Sequence, residues 1–140
     1  MIITANCMSM VAPSKTAAEK KKEDAEKEFS IARQSEGDKR YDSATRHYKR
    51  SAELGNSDAS YKLGTGYYNA GYKLLKKAAT CSMDSQSKAS YELAHINFSA
   101  ALKYLQQADK LGHVAANQKL QEIRQTVGLR NQETMNSMFG

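Results

Sequence analysis

The chain has 140 residues, of which 40% are hydrophobic, and this suits one small globular domain. It contains a single proline, Pro13, so most of the chain is free to form helices. Its two cysteines, Cys7 and Cys81, form no C-x-x-C pair and have no histidine at ligand spacing. This pattern argues against a metal or redox site, and we expect no cofactor.

Residues 1–14 are predicted to be a flexible N-terminal tail. The tail is apolar but short, with no basic flank and no clear cleavage site, so it is not typical of a signal peptide. No stretch approaches the roughly twenty apolar residues of a membrane span. We therefore expect a cytoplasmic protein without membrane association.

Residues 15–36 are predicted to form a charged helix that caps the domain. Thr16 and Glu19 have the spacing of a capping box at its start. A single apolar seam along the helix is formed by Ala25, Phe29 and Ala32. Lysines and acids balance along the rest, which favours a solvated surface; a nucleic-acid-binding arm is the alternative.

A second helix is predicted after residue 38, with Tyr41, Ala44, Tyr48 and Ala52 on its buried face. Gly55 suits the left-handed residue that ends a helix, and Asn56 can cap the next one. That third helix carries an apolar stripe at four-residue spacing and is expected to end at Gly71. A tight turn between two helices therefore lies at residues 54–58.

The middle of the chain has less clear boundaries. Residues 72–80 predict a short amphipathic helix, and residues 81–86 predict a loop. Residues 85–111 contain no glycine or proline, so local propensity allows one long helix. Repeat register instead favours two helices with a break near Phe98 and Ser99, and this is our expectation.

A last packed helix is predicted from about Val114 to Val127, where Gly128 would end it. Residues 129–140 are interpreted as a C-terminal tail.

The sequence around the first turn recurs further along the chain. LGHVAANQKL from Leu111 repeats LGNSDASYKL from Leu54 at an offset of 57 residues. ASYEL from Ala89 repeats ASYKL from Ala59 at an offset of 30 residues. Such periodicity predicts a protein built from stacked repeats.

Residues 52–71 resemble a Sel-one-like repeat, a relative of the tetratricopeptide repeat. The pattern A-E-x-G-x-x-x-A-x-x-x-L-G-x-x-Y-x-x-x-G is met by Ala52, Glu53, Gly55, Ala59, Leu63, Gly64, Tyr67 and Gly71. The resemblance extends over residues 37–128, the predicted repeat domain, and weakens where Ala94 and Ala101 replace glycines. It implies an all-α fold, a short α-solenoid of about six or seven helices stacked as antiparallel hairpins.

In repeats of this type the first helix of each hairpin lines a binding groove, and this resemblance predicts the groove residues here. They are Asp58, Tyr61, Lys62, Thr65, Tyr68, Asn69, Lys88, Tyr91, Glu92 and His95. Tyrosine beside lysine suits the binding of a peptide. The alternative for Tyr61 and Tyr91 is packing between helices.

The net charge of +6 is concentrated in one region. Residues 39–77 contain nine lysines and arginines against three acids, which accounts for the whole excess. A localised positive field favours an acidic partner. We expect a non-enzymatic protein-interaction adaptor, since no catalytic triad spacing or phosphate-binding loop is present. A basic nucleic-acid-binding domain and a tetratricopeptide-type secretion chaperone are the alternatives, and the oligomeric state stays open.

Overall fold

A computed structural model describes residues 14–80 and 85–125. Within these ranges the chain forms five helices and no strand: α1 Ala17–Gly37, α2 Tyr41–Glu53, α3 Ser57–Thr80, α4 Ser85–Lys110 and α5 114–125. The predicted all-α class is confirmed. Most of the N-terminal tail, the whole C-terminal tail and residues 81–84 of the predicted loop lie outside the described residues. The loop prediction is wrong for residues 85–86, which belong to α4. The solenoid of six or seven helices stays a prediction.

The predicted capping helix is α1, and it packs along α2. The Glu19 amide donates to Thr16 Oγ1 over 3.2 Å at its start, which confirms the Thr16 half of the predicted capping box. Ala25 and Ala32 are buried, and the Phe29 ring meets the edge of Tyr48 with centroids 5.7 Å apart. The charged remainder of α1 is largely exposed, as expected of a solvated face.

Two turns of the same construction lie 57 residues apart, at the offset of the sequence repeat. In the first, Gly55 has a φ of +97°, and the Asn56 amide donates to Ser51 O over 3.0 Å. In the second, Gly112 has a φ of +87°, and the His113 amide donates to Ala108 O over 3.0 Å. Glycine is favoured at both positions because a side chain is strained at such positive φ.

The prediction that α3 ends at Gly71 is wrong, because α3 continues to Thr80 and includes the segment predicted as a separate helix. Gly71 is a contact residue rather than a helix end. A Cβ placed on it would lie 3.0 Å from the Phe98 ring and 3.2 Å from Ala94 O. The missing side chain allows α4 to approach α3 closely at this point.

The predicted break near Phe98 and Ser99 is also wrong, because α4 runs without interruption from Ser85 to Lys110. Small buried residues recur every seven positions on both helices. They are Gly64, Gly71 and Ala78 on α3, and Ser87, Ala94, Ala101 and Ala108 on α4. Seven-residue spacing keeps one seam facing the partner along a whole helix pair, so a continuous helix satisfies it and a broken one does not.

The larger core side chains form two clusters on either side of the α3–α4 hairpin. One joins α1, α2 and α3 and contains Ala32, Ala44, Tyr48, Ala52, Ala59 and Leu63. The other joins α4 and α5 and contains Leu105, Ala108, Ala116 and Leu120. Both clusters pack against the half of the hairpin nearest the turns, residues 57–70 and 98–110, which we call the proximal half. Residues 71–80 and 85–97 form the distal half.

No helix in the described part of the chain is both long enough and apolar enough to cross a membrane.

Candidate functional site

The predicted groove residues do not lie on one surface. Lys62 faces α1 and α2, with its Nζ 3.1 Å from Glu36 Oε1. Tyr61 and Tyr68 face α4 and α5 instead. Lys62 and these two tyrosines therefore do not lie on one contact surface for a bound segment.

Asp58 and Tyr61 hold the start of α5 in place. The Tyr61 ring stacks on His113 with centroids 4.5 Å apart and an interplanar angle of 18°. His113 Nδ1 accepts the Ala116 amide hydrogen over 3.3 Å, which leaves Nε2 to donate to Asp58 Oδ1 over 3.0 Å. Tyr61 thus has the packing role that the sequence analysis left open. Thr65 donates its hydroxyl to the carbonyl of Tyr61 over 3.1 Å, a bond within α3.

Tyr68 lies where α3, α4 and α5 meet. Its ring is tilted against Phe98 with centroids 5.6 Å apart. The Lys119 ammonium lies 4.7 Å from the centre of the same ring, within the range of a cation–π contact. Tyr68 is partly buried.

The remaining predicted residues are exposed: Asn69 on α3, and Lys88, Tyr91, Glu92 and His95 on α4. Tyr91 and His95 are four residues apart and share one face of the distal half. Tyr72, which the sequence analysis did not select, lies on the α3 side of this half with the Lys76 ammonium 4.9 Å from its ring centre. Its position four residues after Tyr68, on the same helix face, could have indicated it from the sequence.

A cleft of about 290 Å³ lies between α2 and α3, on the side to which Lys62 points. We call it the tyrosine cleft. It is lined by Glu36, Tyr41, Ala44, Thr45, Tyr48, Lys62, Leu63, Gly66, Tyr67, Ala70 and Asn97. Lys62 is the one residue of this set that belongs to the predicted groove. The prediction that Tyr41 is buried is wrong, since Tyr41 is the first residue of α2 and is 62% exposed at the cleft mouth.

A hydrogen-bonded network closes one end of the tyrosine cleft. The Tyr48 hydroxyl donates to Glu36 Oε2 over 2.7 Å, and Lys62 pairs with the other oxygen. The hydrogen bond from Tyr48, followed by the contacts from Lys62, lowers the pKa of Glu36. Burial and the same bond raise the pKa of Tyr48. At neutral pH the network is therefore a carboxylate held by a neutral phenol and an ammonium group.

The Tyr67 ring of the cleft wall is held by residues outside the lining. Tyr67 lies parallel to Tyr104 of α4, with centroids 5.8 Å apart and an interplanar angle of 4°. The Lys49 ammonium is 5.8 Å from the Tyr67 ring centre, and the Tyr67 hydroxyl raises the pKa of Lys49. Tyr67 is thus held by a parallel ring from α4 and by a positive charge from α2.

Within residues 14–80 and 85–125, no group of three histidine, cysteine or acidic side chains is placed to hold a metal ion. Comparisons with protein-family models, with curated proteins and with solved structures find no match to this chain. The Sel-one-like resemblance accordingly depends on the repeated residues of the sequence itself.

Proposed function

We propose that this protein is a non-enzymatic adaptor that binds an acidic segment of a partner protein in the tyrosine cleft. The observation that carries the proposal is the position of the cleft. The cleft is lined by three tyrosines and lies in the part of the chain that contains all of the excess positive charge. Aromatic area with surrounding cations is the composition that protein-binding sites favour.

The tyrosines of the cleft suit this role because two of them are already fixed. Tyr48 is held by Glu36, and Tyr67 is held by Tyr104. Binding to preorganised side chains costs little conformational entropy. Tyr41 is the exposed ring at the mouth and supplies contact area that a bound segment can bury.

The charge of the cleft favours an acidic segment over a neutral one. Glu36 is neutralised by Lys62, so the carboxylate does not oppose an incoming acid. Lys49, Lys73 and Lys77 belong to the same two helices and add to the positive field. Such a field accelerates encounter with an acidic partner at low salt.

The resemblance to Sel-one-like repeats supports the same class of function, since stacked helical hairpins form extended binding surfaces. A tetratricopeptide-type secretion chaperone is a narrower form of this proposal. We propose a cytoplasmic location, where the two cysteines would stay as free thiols.

The test begins with capture of partners from native lysate with and without nuclease, followed by affinity measurement with the purified partner. Tyr41→Ala is expected to weaken binding about tenfold, or ~1.4 kcal/mol, through a faster dissociation rate. Lys62→Glu is expected to slow association chiefly at low salt. Lys103→Glu, an exposed charge reversal on α4 that does not line the cleft, is the control.

Two outcomes contradict the proposal. If nuclease removes every captured component, the protein is a nucleic-acid-binding domain. If both cleft variants keep their helicity and bind the partner as the unmodified chain does, the cleft is not the binding site.

A further inference from the structure

The helix α5 lies in a groove between α3 and α4. On α5, Ala116 and Leu120 are buried and Ile123 packs against the same cluster. On α3, the contacts run from Tyr61, beneath His113, to Tyr68, beneath Lys119. The groove in the proximal half therefore has the width of one helix.

The same groove continues along the distal half of the hairpin. Gly71 and Ala78 on α3, with Ser87 and Ala94 on α4, extend the buried small-residue seam. At its far end Ser87 Oγ donates to Ala78 O over 3.1 Å. Because the seam is unchanged, α3 and α4 stay close, and the groove keeps the shape that accepts a helix.

The walls of the distal groove follow from the register of the proximal half. Tyr72 lies four residues after Tyr68 on α3. On α4, Tyr91 lies seven residues before Phe98, which contacts Tyr68. Tyr72 is 47% exposed and Tyr91 is 48% exposed, so large aromatic side chains line this groove with much of their surface in water.

The charges of the distal half identify the kind of occupant. Of the four lysines in residues 71–80 and 85–97, two, Lys76 and Lys88, lie three or four positions from the groove tyrosines, and Glu92 is the acid of these residues. Lys76 and Lys88 share the groove face with the tyrosines by helical spacing. Lys119 of α5 borders this face and also pairs with Glu122 over 3.4 Å. A second copy of this chain would bring like charges together, which is unfavourable. An acidic occupant would pair with them.

We propose that the distal groove binds an amphipathic helix from another protein, with acidic residues along its flanks. Its apolar residues would follow the spacing of Ala116, Leu120 and Ile123 and lie between Tyr72 and Tyr91. This groove is on the opposite side of the hairpin from the tyrosine cleft. The proposal does not depend on the cleft, and with both sites the protein would join two partner segments.

The chain contains no tryptophan, so a single introduced tryptophan reports on the groove. Tyr91→Trp in the full chain is the reporter. The probe is a synthetic 14-residue helical peptide with leucine and alanine at the α5 spacing and glutamate elsewhere. We expect its addition to shift the fluorescence to shorter wavelength. The control peptide has lysine in place of every glutamate and should bind at least about tenfold more weakly.

Matched variants locate the bound peptide. Adding Tyr72→Ala to the reporter should weaken binding about tenfold, because it removes one aromatic wall. Leu93→Trp, on the α4 face that also bears the cleft residue Asn97, should show no shift. Tyr41→Ala should leave binding of the peptide unchanged, so failure of this proposal is separable from failure of the cleft.

Four results would overturn the proposal. One is the absence of a shift with the glutamate peptide, and another is equal binding of the lysine peptide. The third is fluorescence of the free reporter that is already at short wavelength and moves to longer wavelength on dilution, which would identify a second copy as the occupant. The fourth is short-wavelength fluorescence that does not change with dilution, which would identify the chain's own residues.

Discussion

The proximal and distal halves of the α3–α4 hairpin share one seam but differ in what surrounds it. In the proximal half, Leu63 and Leu105 are buried with the help of α2 and α5. In the described distal half, the buried side chains are small, and Leu93 is 50% exposed. Small residues at seven-residue spacing hold two helices together, whereas a core of large side chains requires a third helix. The distal groove proposed above lies in the half of the hairpin where the described buried side chains are small.

The largest expected effect comes from shortening a core leucine in the proximal half. Leu105→Ala should lower the free energy of unfolding by about 2–5 kcal/mol, because Leu105 is fully buried between α3 and α5. Leu63→Ala and Leu120→Ala, at equivalent positions of the repeat, should show similar losses. Chemical denaturation measures all three.

Leu93→Ala in the distal half is the control for these leucines and should change stability by less than about 0.5 kcal/mol. An equal loss at Leu93 and Leu105 would contradict the division of the hairpin into two halves.

The next effect concerns the glycines of the seam. A Cβ on Gly64 would lie 2.7 Å from Leu105 Cγ, so Gly64→Ala should destabilise the protein by about 1–3 kcal/mol through overpacking. Gly71→Ala should cost less, since the partly buried Phe98 ring can shift. Thermal unfolding of the two variants gives the order.

Gly66 is a matched control on the same helix, because a Cβ there meets nothing within 4 Å. Gly66→Ala should stabilise the helix by about 0.5–1 kcal/mol. A stabilising Gly64→Ala would show that α3 and α4 are further apart than described.

A smaller effect is expected at the two helix starts that the repeat relates. Asn56 Oδ1 accepts the Ala59 amide hydrogen over 2.9 Å, and His113 occupies the equivalent position before α5. Asn56→Ala and His113→Ala should each lower stability by about 0.5–2 kcal/mol through loss of the cap. If neither substitution changed the stability, these caps would not stabilise the turns.

The smallest expected effect is the pH dependence of the Glu36 network. Because Tyr48 and Lys62 lower the pKa of Glu36, the ionised carboxylate stabilises the folded state. This stabilisation is fully present above the unfolded pKa of 4.5 and is lost as the pH falls through the lower folded pKa. Below pH 4.5 the unmodified chain should lose more stability than Glu36→Gln. The effect is small because the Glu36 side chain is 37% exposed. An equal fall in the melting temperature of the two proteins below pH 4.5 would contradict this prediction.

Features set by neighbouring residues could be predicted from the sequence. The cap at Thr16, the turn at Gly55 and its copy at Gly112 depend on local geometry, and the structure confirms each one. The predicted end of α3 failed because Gly71 serves a contact with Phe98, a residue far away in sequence. Nothing near Gly71 distinguishes a glycine that ends a helix from one that admits a neighbouring helix.

The candidate site was predictable to a smaller extent for the same reason. Lys62 was selected, but its partners Glu36 and Tyr48 come from α1 and α2, and the repeat pattern does not specify how those helices meet α3. The pattern also placed Tyr61 and Lys62 in one groove, although consecutive residues point about 100° apart on a helix. The start of α5 covers Tyr61, and only tertiary packing reveals this.

Amide hydrogen exchange of the free chain compares the two halves of one helix directly. Residues 101–108 of α4 lie in the proximal half and residues 88–95 in the distal half. We expect the distal amides to exchange at least about tenfold faster, a difference of ~1.4 kcal/mol in opening free energy. Equal protection along α4 would contradict it, because the distal half would then be as firmly held as the core.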